Sequence, residues 1–505
     1  MRHPATRTLL TCLILATAAH GQDENPWVGA RVVTKSRAPL RVEGRVVDED
    51  WDFRVYTVEK TRGDEVYLAS GDVKGWVATS AVVPLAEAVA FYTDEIRKDP
   101  ASLEAYTKRG HVWSAKGEPD KAIADYGQAI RIEPDYALGY YNRGIARGGK
   151  GDLDGAIADY GEVIRIEPES ADAHINRGTA RQAKGDLDGA IADFDRAIRL
   201  DPKSALACFN RGAARQARGE LVRAIADYGE AIRLDPKQAS AYNNRGTARE
   251  AREDLDGAIA DYGEVIRIEP ESADAYINRG NVRQAKGDLD GAIADLDRAI
   301  RLDPKSALAY YSRGVARQAR GESDQAIADS SEAIRLDPKQ ALPYIIRGNA
   351  REDRKDLDGA IADYGEAIRL DPKSADAYIN RGNARQAGNV FDGAIADYGE
   401  AIRIDPNQAL AYQNRAVVWA TCPDPRYRDG KKAVDSATKA CELSSWNSAI
   451  YLDTLAAAHA EAGDFDQAVR REQEAIDRTA PEGDLLKGMQ ERLALYQAGK
   501  PYRQP

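Results

Sequence analysis

An asparagine recurs at intervals of 34 residues along much of the chain. The series consists of Asn142, Asn176, Asn210, Asn244, Asn278, Asn380 and Asn414, and Ser312 and Ile346 stand at the two positions that interrupt it. A carboxamide carries two N–H donors and an acceptor oxygen, so it can hydrogen-bond a peptide backbone without reading the side chains. The spacing therefore indicates repeated, sequence-tolerant binding rather than a reaction.

A second series stands immediately before these positions and is mostly apolar or aromatic. Its members are Tyr141, Ile175, Phe209, Ile277, Tyr311, Ile345 and Ile379. We expect these side chains to lie beside the amides and to contact apolar side chains of a ligand.

Arginine and aspartate also recur with the same period. One arginine series starts at Arg109 and includes Arg143 and Arg177. A second stands four residues later and starts at Arg147 and Arg181, and the aspartates include Asp193. Residues four apart share one helix face. The series form either an Arg–Asp ladder between two helices or a basic stripe for an anionic ligand. Because both signs recur equally, we favour the ladder.

Catalytic chemistry finds little support in the sequence. His111, His174 and His459 stand far apart, and the chain has neither a metal-spaced Cys/His cluster nor a Gly-rich phosphate loop. We therefore predict that the protein is not an enzyme and needs no cofactor or metal. The formal net charge of −11 argues against sequence-independent nucleic-acid binding, which needs clustered Lys and Arg.

A proline period shows which elements carry these side chains. Ten prolines are spaced by 34 residues, namely Pro100, Pro134, Pro168, Pro202, Pro236, Pro270, Pro304, Pro338, Pro372 and Pro406. A fixed period of this length is typical of a helix–turn–helix array, in which each unit buries its apolar face only against its neighbours. The 505 residues therefore divide into one small N-terminal domain and one long solenoid.

One unit shows the residues that build the array. Gly178 permits close helix approach, Gly185 ends the first helix and Asp186 caps the second. Phe194 fills the space beside a small alanine, and Pro202 stops the second helix. The unit resembles the tetratricopeptide repeat, which implies a mainly α, right-handed solenoid of helix pairs.

The resemblance also implies an organisation along the chain. A junction half-repeat helix occupies 85–100, nine regular units occupy 103–408, two irregular units occupy 409–481, and a capping helix occupies 484–498. In this family the asparagine position faces the concave side, so the amides line a groove by resemblance. The alternative is that they only bond neighbouring helices. Lys108 is the notable cation of this surface.

The N-terminus indicates export. Residues 1–21 have a basic start and an apolar stretch too short to span a bilayer, as in a cleaved signal peptide. The alternative is an uncleaved anchor, and we favour the cleaved signal. We expect a periplasmic or secreted protein that is not inserted in a membrane after cleavage.

The segment 27–84 differs from the array, because short β-rich runs alternate with turn residues. We predict five strands in a small barrel. The segment resembles bacterial SH3-like domains, chiefly at Val73-Lys74-Gly75-Trp76-Val77. In such domains the tryptophan lines a ligand groove or fills the core, and we favour the core for Trp76.

Three cysteines follow the signal segment. Cys208 falls on a core position of its unit, whereas Cys422 and Cys441 flank an insertion. In an oxidising compartment Cys422 and Cys441 can form a disulfide, but their spacing alone does not establish that they lie close together.

The sequence thus predicts an exported, non-enzymatic scaffold that binds segments of other proteins in its groove. Two alternatives stay open. In one, the SH3-like domain binds peptidoglycan of the cell wall and the array is a spacer. In the other, the protein is an assembly or chaperone factor for exported proteins.

Overall fold

The structure is a computed structural model that describes residues 27–35, 40–42, 45–48, 55–70, 73–480 and 483–504. The predicted signal segment 1–21 lies outside the described residues. The chain divides into two compact units, Met1–Asp235 and Pro236–Pro505. It is mainly helical, and a small antiparallel sheet precedes a solenoid of helix pairs, as the sequence predicts.

The sheet in the first unit has seven strands rather than the five predicted. The strands are β1 (Arg31–Thr34), β2 (Leu40–Val42), β3 (Arg45–Asp48), β4 (Tyr56–Arg62), β5 (Glu65–Ser70), β6 (Val73–Ala78) and β7 (Val82–Pro84). They pair antiparallel in the order β3-β2-β6-β5-β4-β1-β7. The hairpin of β2 and β3 was missed because both strands are very short.

The core of this sheet contains Tyr56, Val66, Leu68 and Val77, all buried. Trp76 is only partly buried and lies on the opposite face, so its assignment to the core was wrong. The reason is the alternation of side chains along a strand, which turns Trp76 away when its neighbour Val77 points inward.

Nine helices follow the sheet in the described part of the first unit. They are α1 (Leu85–Lys98), α2 (Leu103–Ala115), α3 (Pro119–Ile132), α4 (Ala137–Lys150), α5 (Leu153–Ile166), α6 (Ala171–Lys184), α7 (Leu187–Leu200), α8 (Ala205–Ala217) and α9 (Leu221–Leu234). Helix α1 shares one hydrophobic cluster with the sheet and with α2, through Val33, Tyr92 and Val112. Helix α1 therefore packs against both the sheet and the first helix pair.

The second unit contains fifteen helices. They are α10 (Ala239–Glu250), α11 (Leu255–Ile268), α12 (Ala273–Ala285), α13 (Leu289–Leu302), α14 (Ala307–Ala319), α15 (Ser323–Leu336), α16 (Leu342–Asp353), α17 (Leu357–Leu370), α18 (Ala375–Ala387), α19 (Phe391–Ile404), α20 (Ala409–Thr421), α21 (Gly430–Leu443), α22 (Ala449–Glu461), α23 (Phe465–Asp477) and α24 (Asp484–Gln497). Met489 and Tyr496 of α24 are buried against the last helix pair, so this helix covers an apolar face that would otherwise meet water.

The helix boundaries follow from local chemistry that repeats with the period. In one repeat, Gly185 adopts φ +89°, a left-handed conformation that favours glycine, at the end of α6. Asp186 then accepts a hydrogen bond of 2.9 Å from the backbone N–H of Gly189 and caps α7. Both roles were predicted from the sequence.

Candidate functional site

In most repeats, a glycine lets the first helix approach an aromatic ring of the second, whereas Gly280 and Gly314 face Leu296 and Ser330. A Cβ atom added to Gly178 would lie 2.8 Å from Cε1 of Phe194, which is too close for any side chain. Phe194 and the neighbouring Ala190 are fully buried. This contact fixes the first helix of the repeat, and that helix carries the asparagine series.

The two helices of a repeat are also joined through a buried carboxylate. Asp193 is 3% exposed and accepts hydrogen bonds from Arg177 Nη2 at 2.6 Å, from Arg177 Nε at 3.0 Å and from Arg181 Nη1 at 2.7 Å. Hydrogen bonds in which both partners are charged are among the strongest in proteins. One carboxylate therefore holds two guanidinium groups of the preceding helix.

This arrangement, called the Arg–Asp–Arg triad below, recurs along the array. Seven further aspartates accept from two arginines in the same way, namely Asp159, Asp227, Asp261, Asp295, Asp329, Asp363 and Asp397. The interpretation of the arginines as a ladder between helices is confirmed. Because their donors are used inside each repeat, they do not form a basic stripe for a ligand.

The tenth repeat departs from the triad because Ser436 stands where the other repeats have aspartate. The Arg415 guanidinium lies over the rings of Tyr412 and Trp419, at 5.6 and 4.8 Å, and 3.5 Å from the Ser436 hydroxyl. Burial lowers the pKa of Arg415. Cation–π contacts thus take the place of the carboxylate there.

The asparagine series lies partly buried along the first helices of the repeats, and one N–H of most members is used in packing. Asn176 donates to the Tyr141 hydroxyl at 2.8 Å, and Asn278 donates to the Asn243 side chain at 3.3 Å. The same kind of bond joins Asn210 to Thr179, Asn380 to Asn349 and Asn414 to Asn383. Asn244 instead accepts a hydrogen bond from Asn243. Asn142 lies partly buried at the equivalent position. Bonding between neighbouring helices therefore uses part of the amide in most of the series, with Asn244 and Asn142 as exceptions.

The side-chain oxygens of these asparagines are used less in packing than their N–H groups. In the described residues, the side-chain oxygens of Asn176, Asn278 and Asn380 accept no hydrogen bond from the protein. They keep their hydrogen-bonding capacity for water or for a ligand.

The series beside the asparagines divides by side-chain size. Ile175 and Ile277 are 5% and 1% exposed and belong to hydrophobic clusters with the second helix of their repeat, so they are not available to a ligand as we expected. The larger rings of Tyr141, Phe209 and Tyr311 stay half-buried. Tyr141 and Phe209 rest on the rings of Tyr160 and Tyr228, with centroids 5.9 and 5.7 Å apart. The rings and the half-buried Ile345 can therefore contact a ligand.

Comparison with known proteins identifies the repeated unit. A sequence profile described as "TPR repeat" matches residues 110–151, 216–251, 248–287, 280–321 and 348–389, and one described as "Tetratricopeptide repeat" matches 141–205. The chain carries tetratricopeptide repeats. Together with the helix pairs above, these matches confirm the repeat that the sequence indicates.

Similar solved structures share little sequence with this TPR array. Yeast Tom70 is 17% identical over 78% of this chain and 96% of its own, with a TM-score of 0.40. YrrB, described as a TPR protein with an unusual peptide-binding site, is 22% identical over 36% of this chain and 95% of its own (TM-score 0.34). MamA is 28% identical over 34% and 95%, with a TM-score of 0.33. No curated protein matches the sequence significantly.

Two open cavities of the second unit are lined by asparagines of the series. One of about 440 Å³ is lined by Asn244, Asn278 and Leu308, among others, and one of about 670 Å³ by Asn414, Leu410 and Tyr502. Tyr502 belongs to the C-terminal tail, whose Gln504 N–H donates to the Thr421 carbonyl at 3.0 Å. The amides thus face open space large enough for part of a peptide.

Sequence reasoning missed the exposed leucines of this face. Leu206, Leu308, Leu342 and Leu410 are each between 43% and 55% exposed. Each stands four residues before a position of the asparagine series, and that spacing places it on the same helix face. The spacing could have revealed them.

Other candidate residues have structural roles in the TPR array. Lys108 is buried and pairs with Glu104 at 2.8 Å, so it is not an exposed cation. Cys208, Cys422 and Cys441 are buried free thiols, and Cys422 and Cys441 belong to different hydrophobic clusters. The structure therefore does not pair Cys422 with Cys441.

The described residues contain neither a membrane-spanning helix nor a cluster of metal-ligating side chains. In that part of the chain, no helix has the length and apolar character needed to cross a bilayer. The same residues contain no group of three or more His, Cys, Asp or Glu side chains placed to hold a metal ion.

Proposed function

We propose that the protein is a non-enzymatic scaffold that binds extended segments of other proteins along the asparagine face of its TPR array. The TPR architecture supports an interaction scaffold in general. The observation that carries the finer proposal is the cavity of about 440 Å³ whose wall contains Asn243, Asn244 and Asn278. An amide oxygen left without a protein donor at such a cavity can accept a backbone N–H of a bound segment.

The charge distribution favours a backbone-directed mode of binding. The guanidinium donors are used by the aspartates within the array, so the amides dominate the polar chemistry of this face. One neutral hydrogen bond contributes about 0.5–1.5 kcal/mol net. Affinity must therefore accumulate over several repeats, and the sequence of the bound segment matters less than its extended shape.

The test is a titration of an uncharged, unstructured peptide against a variant in which Asn176, Asn210, Asn244 and Asn278 are all changed to alanine. Four lost hydrogen bonds should weaken binding by at least about 2 kcal/mol, or roughly 30-fold. Wild-type binding should survive raised salt, because few charges are displaced. Unchanged affinity in the variant would mean that the peptide binds elsewhere.

The variant needs a control, because the same amides pack against neighbouring helices. Tyr141→Phe removes the hydroxyl that accepts from Asn176 and leaves the amide in place. If the loss of affinity came from weakened packing, Tyr141→Phe would reproduce the effect of Asn176→Ala. We expect Tyr141→Phe to retain binding, and we expect the quadruple variant to keep its helical content.

A second candidate function concerns the N-terminal sheet. Trp76 and Tyr67 form an edge-to-face pair with centroids 5.2 Å apart, on the face that turns away from the core, and Arg62 lies 4.6 Å from the Trp76 ring. Such a partly exposed aromatic pair favours the SH3-like, wall-binding alternative, in which the sheet contacts peptidoglycan. Purified sacculi should then pull down the wild type but not a Trp76→Ala variant, and equal recovery would exclude this role for the ring.

Export remains part of the proposal. We expect cleavage before Gln22 to release the protein into the periplasm or the medium. N-terminal sequencing of the protein recovered from the envelope or the medium tests it.

A further inference from the structure

On the asparagine face, some residue types recur in every TPR and others recur only in every third TPR. Aspartate occupies the second position of the first helix in three repeats that are 102 residues apart, at Asp172, Asp274 and Asp376. The next repeat in each case carries leucine at the same position, at Leu206, Leu308 and Leu410. An Asp–Asn–Leu combination, called a subsite below, therefore occurs three times.

The middle subsite shows how its residues come together. Asp274, Asn278 and Leu308 line the cavity of about 440 Å³. Asp274 is exposed, and Leu308 has 49% of its surface exposed. A carboxylate, an amide and an aliphatic side chain thus border one open space within the second unit.

The three aspartates are exposed, and no arginine or lysine of the described residues forms an ion pair with them. Asp376 does accept a hydrogen bond of 3.3 Å from the Gln408 side chain. Some acids that begin the second helices have cationic partners, since Asp154 pairs with Lys184 and Asp256 pairs with Lys286 between consecutive repeats. The charges of the three subsite aspartates are therefore not compensated by a cation of the described residues.

Stabilisation of the helix N-terminus does not account for the three aspartates. A carboxylate in the first turn does favour a helix. Yet Ser204 and Ser306 cap helices α8 and α14, which form equally well with leucine at this position. The helices with aspartate, α6 and α12, already have the same serine cap. Helix stability therefore explains neither the placement in every third repeat nor the neighbouring leucine.

We propose that each subsite binds a segment in which a lysine or arginine stands close to an aliphatic residue. The carboxylate pairs with the cation, the leucine covers the aliphatic side chain, and the amide bonds the backbone between them. This inference rests on the proposed function and adds the class of partner. The formal net charge of −11 also attracts a basic partner over a longer range.

Three equivalent subsites have a consequence for the partner. A short segment should bind the protein in three equivalents, whereas a partner that repeats the segment can occupy several subsites at once. Linked binding events raise the overall affinity without any new contact. The natural partner that fits this face is therefore a protein with several basic and aliphatic segments.

The experiment compares two sets of fluorescent peptides of Ser, Thr and Gly. One set carries one Lys and one Leu, separated by one to four residues, and the other carries Gln in place of Lys. Exposed ion pairs contribute about 0.2–1 kcal/mol, so the Lys peptides should bind about 1.5- to 5-fold more tightly at low salt. Calorimetry should give three equivalents per chain.

Two triple variants separate the carboxylates of the subsites from the general charge. Changing Asp172, Asp274 and Asp376 to asparagine should abolish the preference for Lys and its salt dependence. The matched control changes Glu162, Glu264 and Glu366 to glutamine, which removes the same charge from surface acids that are also 102 residues apart and pair with arginines on their own helices. The control should keep the preference.

A third variant tests the leucines. Changing Leu206, Leu308 and Leu410 to alanine should weaken both peptide sets and leave the ratio between them unchanged. Equal affinity of the Lys and Gln peptides for the wild type, or loss of the preference in the glutamate control, would overturn the proposed subsites while peptide binding by the amides still stood. A stoichiometry of one peptide per chain would contradict the presence of three subsites. Failure of every peptide to bind would overturn both proposals.

Discussion

Asp193→Asn is the sharpest test of the forces that hold a repeat together. The carboxylate is 3% exposed and holds two arginines whose side chains are 19% and 27% exposed. Breaking a buried ion pair by removal of one partner costs about 3–5 kcal/mol, because the remaining charge stays unpaired. Water reaches both guanidinium groups in part, so we expect the lower end, about 3 kcal/mol.

The matched control stands two residues away on the same helix. Asp195 has 34% of its side chain exposed, lies 2.7 Å from Arg211 and has a longer contact of 4.0 Å with Arg215, and both arginines are also held by Asp227. An ion pair of this kind contributes only about 0–1 kcal/mol. Asp195→Asn removes the same charge and keeps the same size, so the two variants differ in burial and in the number of arginines left unpaired.

Hydrogen exchange measured by mass spectrometry resolves the effect repeat by repeat. A loss of about 3 kcal/mol should speed exchange in α6 and α7 by roughly 100-fold, with little change several repeats away, because the coupling in a solenoid is between neighbours. Asp195→Asn should change exchange by less than about tenfold. Equal effects of the two substitutions, or normal protection in Asp193→Asn, would refute the argument that the triad stabilises the repeat.

Three further predictions concern other buried groups. Phe194→Ala should cost about 3–5 kcal/mol, because Phe194 is fully buried, and hydrogen exchange should show the loss centred on its own repeat. Ser330 is fully buried with an unpaired hydroxyl, so Ser330→Ala should raise stability in urea unfolding by about 1 kcal/mol, and destabilisation would contradict this. Burial, together with the Asp453 carboxylate, holds the pKa of Glu472 well above its usual range, although Arg492 opposes the shift. The folded state therefore binds the proton more tightly, and the stability of the C-terminal cap should fall as pH rises above the ordinary carboxyl value of about 4.3. Glu472→Gln should remove that dependence, and a pH series of urea unfolding monitored at the cap measures it.

Features that repeat along the chain were predictable from the sequence. The proline period predicted the helix pairs, and the close approach of two helices at Gly178 was predicted from the lack of a side chain there. The pairing of Arg177 with Asp193 followed from equal recurrence of opposite charges. In each case many repeats satisfy the same contact, so the pattern reports on geometry that every repeat must share.

Depth of burial at variable positions was not predictable in the same way. One helix position holds Tyr141, Ile175 and Phe209 in consecutive repeats, and only the isoleucine fits beneath the surface. Similarly, a single copy of the sheet offered no recurrence, and Trp76 was assigned to the wrong face. The burial of such residues depends on the size of their immediate neighbours, and the repeat period carries no information about those neighbours.

The distribution of charge within the array explains how one face can tolerate many ligand sequences and still prefer basic segments. Inside each repeat an aspartate shares its charge with two arginines, so these groups fix the helices and contribute little to a ligand. The amides then supply binding that does not depend on the ligand's sequence. We expect any preference to come from the exposed leucines and from Asp172, Asp274 and Asp376, which have no arginine or lysine partner among the described residues. The two contributions respond differently to ionic strength, because salt screens exposed charges and leaves neutral hydrogen bonds nearly unaffected. Binding of a basic segment should therefore fall with salt only to the level of a neutral segment, and a decline well below that level would show that charge rather than the amides carries the affinity.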